Sequence, residues 1–438
     1  MAKRCDMRLE IGTFRVRDVA FSDATKLRDG VLYIDKEKVV EMVMEDHNFS
    51  GADLHLVRPG DSTRLVNLLD VVEPRCKVSG PGNTFPGLLG PPVTVGRGRT
   101  NRLDNVALME TSEPVTGSEP ANWRDSIMDM SGPGARYNMF ANTLNIVLDL
   151  KPRSDFSPEE MGQLELTNYN RGSQWVQRYH RSVRIAGSKV AAYLAEVTKD
   201  LVPDQVDVYE VGPADPSLPK VAYSCQVLYH LMYGEPLGWQ PTFVHPNELM
   251  DGILVNPHTP PAAHRDATYV MQNNPLIREL YQRHGKELNF FGVLVYRAEI
   301  KNLEDKERST DYAAKLLQMM DIDGIVMTWT GSGNPGMDIM MLAQKCEQRG
   351  IRASMINVEM AMTEEDDGFV YFVPEADAIV NAGNYERTID LPAPDILIGG
   401  TKIRAPEMDV SGQVTLTLRY LYGATNVLGA TRLAGVPY

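Results

Sequence analysis

From Leu288 to Gly399 the sequence alternates short apolar runs with amphipathic stretches, and this alternation limits the fold more than any other feature. Leu288–Tyr296, Asp323–Thr330, Ile351–Glu359, Ala378–Asn381 and Asp395–Gly399 read as strands. Between them, Ser309–Met320 reads as a helix capped by Ser309 or Thr310, and Met337–Arg349 as a helix ended by Gly350. Strands separated by helices form right-handed βαβ units and a parallel sheet covered on both faces. The ligand site of such a sheet lies at the carboxyl ends of its strands. The expected fold class is therefore α/β, with a Rossmann-like parallel-sheet domain and a C-terminal extension over residues 236–438.

Residues 1–235 read differently. Arg8–Val19 alternates in places, Gly30–Asp35 is a short strand after a turn, and Leu65–Val72 is an apolar run. Gly and Pro punctuate Pro74–Gly98 and Ser131–Gly134, which suits many short strands joined by ordered loops. Ser157-Pro158-Glu159-Glu160 has the form of a helix start. Val183–Leu201 carries apolar residues at helical spacing, and Val206–Val211 and Lys220–Leu228 look like strands. A β-rich N-terminal domain with a helical segment is expected here.

A length of 438 residues exceeds one ordinary core, which supports two domains. The formal net charge of −14 disfavours nucleic acid and anionic membrane as partners. No run reaches the ~18 apolar residues of a membrane span, and the first ten residues hold no apolar run of a signal peptide. Cys5, Cys76, Cys225 and Cys346 lack metal-ligand spacing and read as reduced thiols, which fits a cytoplasmic protein.

Several constellations admit more than one reading. Gly331-Ser-Gly-Asn-Pro-Gly336 is a literal G-x-G-x-x-G between a strand and a helix, with Glu359 ending the next strand. Backbone N–H groups there could face a pyrophosphate. Pro335 removes one N–H from that cradle, and Asp338 puts a negative charge in the first helical turn, so a tight turn or a smaller ligand is the competing reading. His245, His258, His264 and His284 cluster in sequence, but His258 and His264 lie in a Pro-rich loop with only Asp266 as a nearby acid. Scattered loop histidines and a proton-transfer role both fit, and no metal set is expected. Glu304–Thr310 is either a solvated charge run or a cleft lining. Arg97 and Arg99 among Gly80, Gly82, Gly96 and Gly98 could bind a carboxylate, although tight turns explain the glycines as well. Cys346 reads as a buried structural thiol.

A further set of segments runs in order along most of the chain. In the first half these are Val72-Glu-Pro-Arg75, Lys77-Val78, Phe85-Pro-Gly87, Thr94-Val-Gly96, Gly98-Arg-Thr100, Asp129-Met-Ser-Gly-Pro-Gly134 and Ala191-Ala-Tyr-Leu194. In the second they are His245-Pro, Met250-Asp-Gly252, Asn273-Asn-Pro275, Leu280-Tyr281, His284-Gly-Lys286, Asn289-Phe290, Asp305-Lys-Glu-Arg-Ser309, Gly333-Asn-Pro335 and Asp338. Together they resemble the component B α/β proproteins of the glycine, sarcosine and betaine reductases of amino-acid-fermenting anaerobes. The resemblance implies a precursor cut before a cysteine in the loop after the Met-Asp-Gly turn, that cysteine becoming a pyruvoyl group. It also implies a γ-type partner subunit carrying selenocysteine, and further components that supply electrons and take over the carboxymethyl group.

On that loop, Val255–Tyr269 aligns without insertion, and Thr259 stands where the resemblance places the precursor cysteine. Ala263 stands where a second cysteine is common. Thr259 keeps a β-oxygen, so self-cleavage to a 2-oxobutyryl group is chemically open. Its methyl crowds the acyl shift, and an alkoxide is harder to form than a thiolate. The expectation is an uncleaved subunit of a reductive C–N-cleaving system with no cofactor, binding a small amine or quaternary ammonium substrate in an oligomeric complex. His258, Thr259 and His264 are the candidate catalytic residues; Glu304, Arg308, Asn334 and Asp338 are the candidate substrate contacts. The alternatives are a non-catalytic binding or scaffold subunit, and an NAD-linked oxidoreductase using Gly331–Gly336.

Overall fold

The computed structural model describes residues 7–113, 126–155, 165–167, 170–172, 174–228, 230–256, 258, 262–264, 266–298, 302–330, 333–363, 368–404, 407–425 and 428. The helix start expected at Ser157–Glu160 lies outside them.

A six-stranded sheet forms from the alternating segments. Its order is Thr242–Val244, Asn289–Arg297, Lys220–Val227, Gly324–Thr328, Arg352–Glu359 and Ile379–Asn384, and all neighbours are parallel except the first pair. Lys220–Val227 and Asn289–Arg297 are buried along most of their length, as strands covered on both faces must be. Lys220–Val227 is central to the sheet, so the boundary expected at 235/236 falls inside the stretch of chain that builds it. The chain passes from Lys220–Val227 to one neighbour, Asn289–Arg297, and then back across to the other, Gly324–Thr328. Successive connections therefore leave in opposite directions, the arrangement that sets a ligand crevice beyond the strands' carboxyl ends in sheets of this kind.

Two helices link these strands and pack on each other, Leu303–Met319 and Asn334–Glu347. The first begins well before Ser309. Asn302 caps it by accepting from Asp305 N at 2.8 Å, and Glu304 and Asp305 complement the positive end of the dipole. The charged run is thus the helix's first turns. The buried pair Lys306–Asp338 fastens the helices together.

The first half holds two mixed four-stranded sheets. One has the order Gln205–Tyr209, Leu9–Arg15, Gly98–Asp104, Arg75–Ser79. The other runs Phe49–Val57, Leu144–Pro152, Val106–Ser112, Leu68–Val72. Helix Gln174–Glu196 packs over strands of both. The last expected strand of the parallel sheet lies elsewhere: Ile396–Ile398 pairs in parallel with Thr63–Val66, which also pairs with Ile127–Asp129. Arg64 reinforces this return of the chain. Its buried guanidinium binds Asp129 at 2.7 Å and donates to the carbonyls of Pro392, Val410 and Gly412. Of the two apolar clusters among the described residues, one accordingly runs from Leu9 to Leu428.

The ordered motifs of the sequence meet around one turn. Asp251 accepts from Lys77 Nζ, from Gly96 N at 2.8 Å and from Thr100 Oγ1 at 2.6 Å. Arg75 donates to Met250 O at 2.5 Å and Asn273 Oδ1 at 3.0 Å. Gly252 has φ +94°, and a Cβ there would meet Thr84 O at 2.0 Å, so only glycine closes the turn. These contacts fix the point from which the 255–266 loop departs.

Candidate active site

Strands Leu68–Val72 and Val106–Ser112 are antiparallel neighbours, and their register sets Glu110 directly opposite Asp70. Both carboxyl groups are fully buried. Like charges facing each other across a sheet are destabilising, so the pair needs compensation. Helix Gln174–Glu196 supplies it. His180, Arg184 and Gly187 are spaced to share one face of this helix, and Arg184 is buried where its guanidinium acts on both Glu110 and Asp70. A Cβ on Gly187 would lie 1.7 Å from Glu110 Oε1, so the helix approaches this carboxyl as closely as backbone permits.

The loop joins from the other side. Arg184 Nε donates to Asn256 O at 2.9 Å. Asn256 N donates to Thr268 Oγ1 at 2.9 Å, Asn256 Nδ2 to Asp266 O at 2.8 Å, and His258 N to Asn256 Oδ1 at 2.7 Å. These bonds hold His258 in the left-handed region at φ +60°, uncommon for a residue other than glycine. Its ring is fully buried, with Nδ1 2.8 Å from His180 Nδ1 and Nε2 3.2 Å from Glu110 Oε2. At the first contact one ring carries the proton and the other accepts it. Asp70 is held by Thr268 N at 3.0 Å, Thr268 Oγ1 at 2.5 Å and Val71 N at 2.7 Å.

Burial governs the electrostatics. It raises the Glu110 carboxyl well above the usual range, and the Asp70 charge adds to the effect. Burial also lifts Asp70, to about 6, against the bonds from Thr268 and Val71. Burial brings Arg184 down to about 10, which leaves it charged at neutral pH. Burial, and then the Arg184 charge, drive His230 down to about 3. Glu110 is therefore the harder of the two carboxyls to ionise, and the Arg184 charge acts on both. Farther along the loop, burial raises Asp266 to about 8, opposed by a bond to Thr330. Thr330 follows strand Gly324–Thr328, so this neutral carboxyl sits at the crevice beyond the sheet's carboxyl ends.

The other expected site residues fall in different places. Thr259 lies outside the described residues. His264 ends the 3-10 turn Ala262–His264, and its side chain is not described. Glu304 and Arg308 line an open groove of about 610 Å³ with Met337, Met341 and Tyr371, and Arg308 pairs with Asp305 at 2.7 Å. Asn334 is exposed at its helix start, and its carbonyl accepts from Lys306 at 3.0 Å. Asp338 is fully buried, and the ammonium it holds is the chain's own, that of Lys306. The groove and the buried cluster are built by different elements. Of the G-x-G-x-x-G segment, Gly331 and Ser332 lie outside the described residues, and Asp338 points into the helix pair. Gly80 and Gly98 lie where the paired strands Arg75–Ser79 and Gly98–Asp104 come together, and a Cβ on either would meet a backbone oxygen across the pair at 2.2 Å. Cys346 is buried, which pushes its thiol up to about 12.

Asp70, Glu110, His180, Arg184 and Asp266 are not among the residues expected from sequence. A usable signal existed for Asp70 and Glu110, which interrupt or end an apolar run whose strand is buried throughout. Among the described residues, Asp70, Glu110 and His258 form the group able to hold a metal ion, with one ligand atom from each lying within 4.8 Å of the others.

The family model for glycine/sarcosine/betaine reductase component B subunits matches residues 7–434. The glycine reductase complex component B subunits alpha and beta of Acetoanaerobium sticklandii are 33% identical over 458 aligned residues, spanning 99% of this chain and 100% of the relative. The sarcosine reductase complex component B subunit alpha of Peptoclostridium acidaminophilum is 34% identical over 407 residues, 90% of this chain and 89% of its own. The betaine reductase complex component B subunit alpha of the same organism is 32% identical over 413 residues, 90% and 88% of the two chains. No solved structure matches.

Proposed function

The chain belongs to the glycine/sarcosine/betaine reductase component B family, and on that premise we propose that it is a subunit of a reductive C–N-bond-cleaving complex that works as one uncleaved chain without a pyruvoyl group. The observation that carries this reading is the meeting of Asp70, Glu110, His180, Arg184 and His258 against the loop that bears Thr259. The loop's surroundings are those of a reacting centre, while its residue 259 lacks the thiol that pyruvoyl formation starts from. No step is therefore routed through that group.

In this reading the substrate is a small amine or quaternary ammonium compound. A quaternary nitrogen carries no proton and cannot form an imine, so a centre without a carbonyl suits it. His258, Thr259 and His264 are the loop's reacting residues. Asp266, neutral at physiological pH, is placed to donate a proton to a departing amine. Glu304 and Arg308 contact substrate or partner from the groove, and Asn334 does so from the exposed start of its helix. The parallel sheet is read as a Rossmann-like domain whose crevice faces Asp266 and Thr330. A γ-type subunit and electron-carrying components complete the complex, in the cytoplasm.

Intact-mass spectrometry after treatment with a carbonyl-reactive hydrazide tests the uncleaved state. One unlabelled full-length species is expected, and two fragments parting between His258 and Thr259 would overturn the reading. Amine release from a panel of secondary and quaternary amines, measured with the co-purified complex and a dithiol reductant, tests the reaction. Substrate binding with no release in any combination favours the scaffold alternative.

A further inference from the structure

We propose that Asp70, Glu110 and His258 form a binding site for one first-row divalent transition-metal ion. The inference rests on these side chains and not on the reductase reading.

The first argument is convergence. Each residue offers one ligand atom, and these atoms lie within 4.8 Å of one another in the protein interior. A carboxyl pair opposed in the interior can ionise fully only against two positive charges, and Arg184 supplies a single unit. A divalent cation supplies the rest.

The second argument is alignment. Glu110 Oε2 lies 3.2 Å from His258 Nε2. Glu110 is 1% exposed, and its Oε2 accepts no hydrogen bond from any described residue. An ion about 2.1 Å from both Glu110 Oε2 and His258 Nε2 would see them at an angle of roughly 100° (twice the arcsine of 1.6/2.1), between the octahedral and tetrahedral values.

The third argument is the supporting shell. A metal-bound imidazole donates its second N–H to a fixed acceptor, which sets the ring and its tautomer. His180 Nδ1, at 2.8 Å from His258 Nδ1, serves as that acceptor and leaves Nε2 as the lone pair facing Glu110. Asp70 is oriented by Thr268 and Val71, and Gly187 makes room for the Glu110 carboxyl. One imidazole nitrogen with two carboxylate oxygens suits Zn²⁺, Mn²⁺ or Fe²⁺ better than Ca²⁺, which takes six to eight oxygens. Three protein ligands leave a position open on a four-coordinate ion, and Arg184 beside it favours an anionic oxygen there.

The test uses the full chain, freed of metal with a chelator. Titration with Zn²⁺ by calorimetry should show one equivalent bound, and Co²⁺ should give a visible absorption spectrum that Zn²⁺ abolishes. Asp70→Asn and His258→Gln should weaken Zn²⁺ binding at least ~100-fold. His180→Ala, which removes only the acceptor behind the His258 ring, should weaken it ~10–100-fold. Glu110→Gln is close in shape, so an unchanged circular dichroism spectrum with lost binding separates a ligand role from unfolding. Zn²⁺ uptake far below one equivalent, or Glu110→Gln and His258→Gln proteins that bind like the parent, would overturn the proposal. Intact mass and amine release read the proposed reaction separately, so either idea can fail alone.

Discussion

Gly187 and Glu110 come within a single atom's width of each other: a Cβ on the glycine would lie 1.7 Å from the carboxyl Oε1. In an ordinary helix, Gly→Ala stabilises by about 1 kcal/mol. Here the added methyl must push the carboxyl aside or lift the helix off the sheet, and overpacking of that kind costs roughly 1–3 kcal/mol. Gly187→Ala should therefore lower the denaturant midpoint, and Gly187→Ala combined with Glu110→Ala should recover part of the loss. A Gly187→Ala protein more stable than the parent would show that the helix does not pack on Glu110.

Asp266 sets a pH dependence of opposite sign to that of an ordinary surface carboxylate. Its folded pKa of about 8 lies above the unfolded value of about 3.9. Its contribution to stability is thus complete below about pH 4 and is lost as pH rises through about 8, at up to ~1.4 kcal/mol per unit. Asp266→Asn removes the titration. The variant should gain stability relative to the parent steadily from pH 5 to pH 8, toward a ceiling of roughly 5 kcal/mol. Chemical denaturation at several pH values reads the difference, and parallel curves would sink the assignment.

How much of this was legible beforehand depends on where the information resides. The strands at Asn289–Arg297, Gly324–Thr328 and Arg352–Glu359 follow from local periodicity, and the sequence reading places them within a residue or two. Helix Leu303–Met319 starts early because Asn302 caps it, a signal overshadowed by the charged run that follows. The partner of Ile396–Ile398 is a strand near the other end of the chain, and no local pattern specifies such a pairing. The buried cluster is of the same kind. Glu110 meets Asp70 through strand register, and His258 meets both through the turn at Asp251, so proximity emerges only from tertiary assembly. His258 stood out in sequence because of the loop it occupies; the residues around it did not.

The pair Lys306–Asp338 separates structural from substrate-binding roles in the second half. Both side chains are buried, so Lys306→Met leaves Asp338 charged without its ammonium and should cost about 3–5 kcal/mol. Replacing both with apolar residues of similar volume should recover most of that loss, as buried ion pairs are often worth no more than good packing. Thermal or chemical denaturation of the two single variants and the double variant reads the coupling. If Asp338→Asn instead leaves stability intact and weakens amine binding, Asp338 acts on substrate and not on the helix pair.

Asp251 offers the sharpest link between the ordered motifs and the loop. Its carboxylate accepts from Lys77, Gly96 N and Thr100 Oγ1, and it is the last charged group before the chain enters Val255–Asp266. Asp251→Asn keeps the shape and one acceptor oxygen but removes the charge that balances the nearly buried Lys77 ammonium, a loss of about 3–5 kcal/mol. Lys77→Met strands the carboxylate with two neutral donors still bound, so its cost should be smaller than that of Asp251→Asn. The double variant should fall well short of the sum of the single effects, since each single change leaves a charge that the other removes. The same contacts position the loop, so limited proteolysis should cut Asp251→Asn protein within 255–266 faster than the parent, at denaturant concentrations where both remain folded. Additive stabilities together with unchanged cleavage rates would mean that the turn at Asp251 does not anchor the loop.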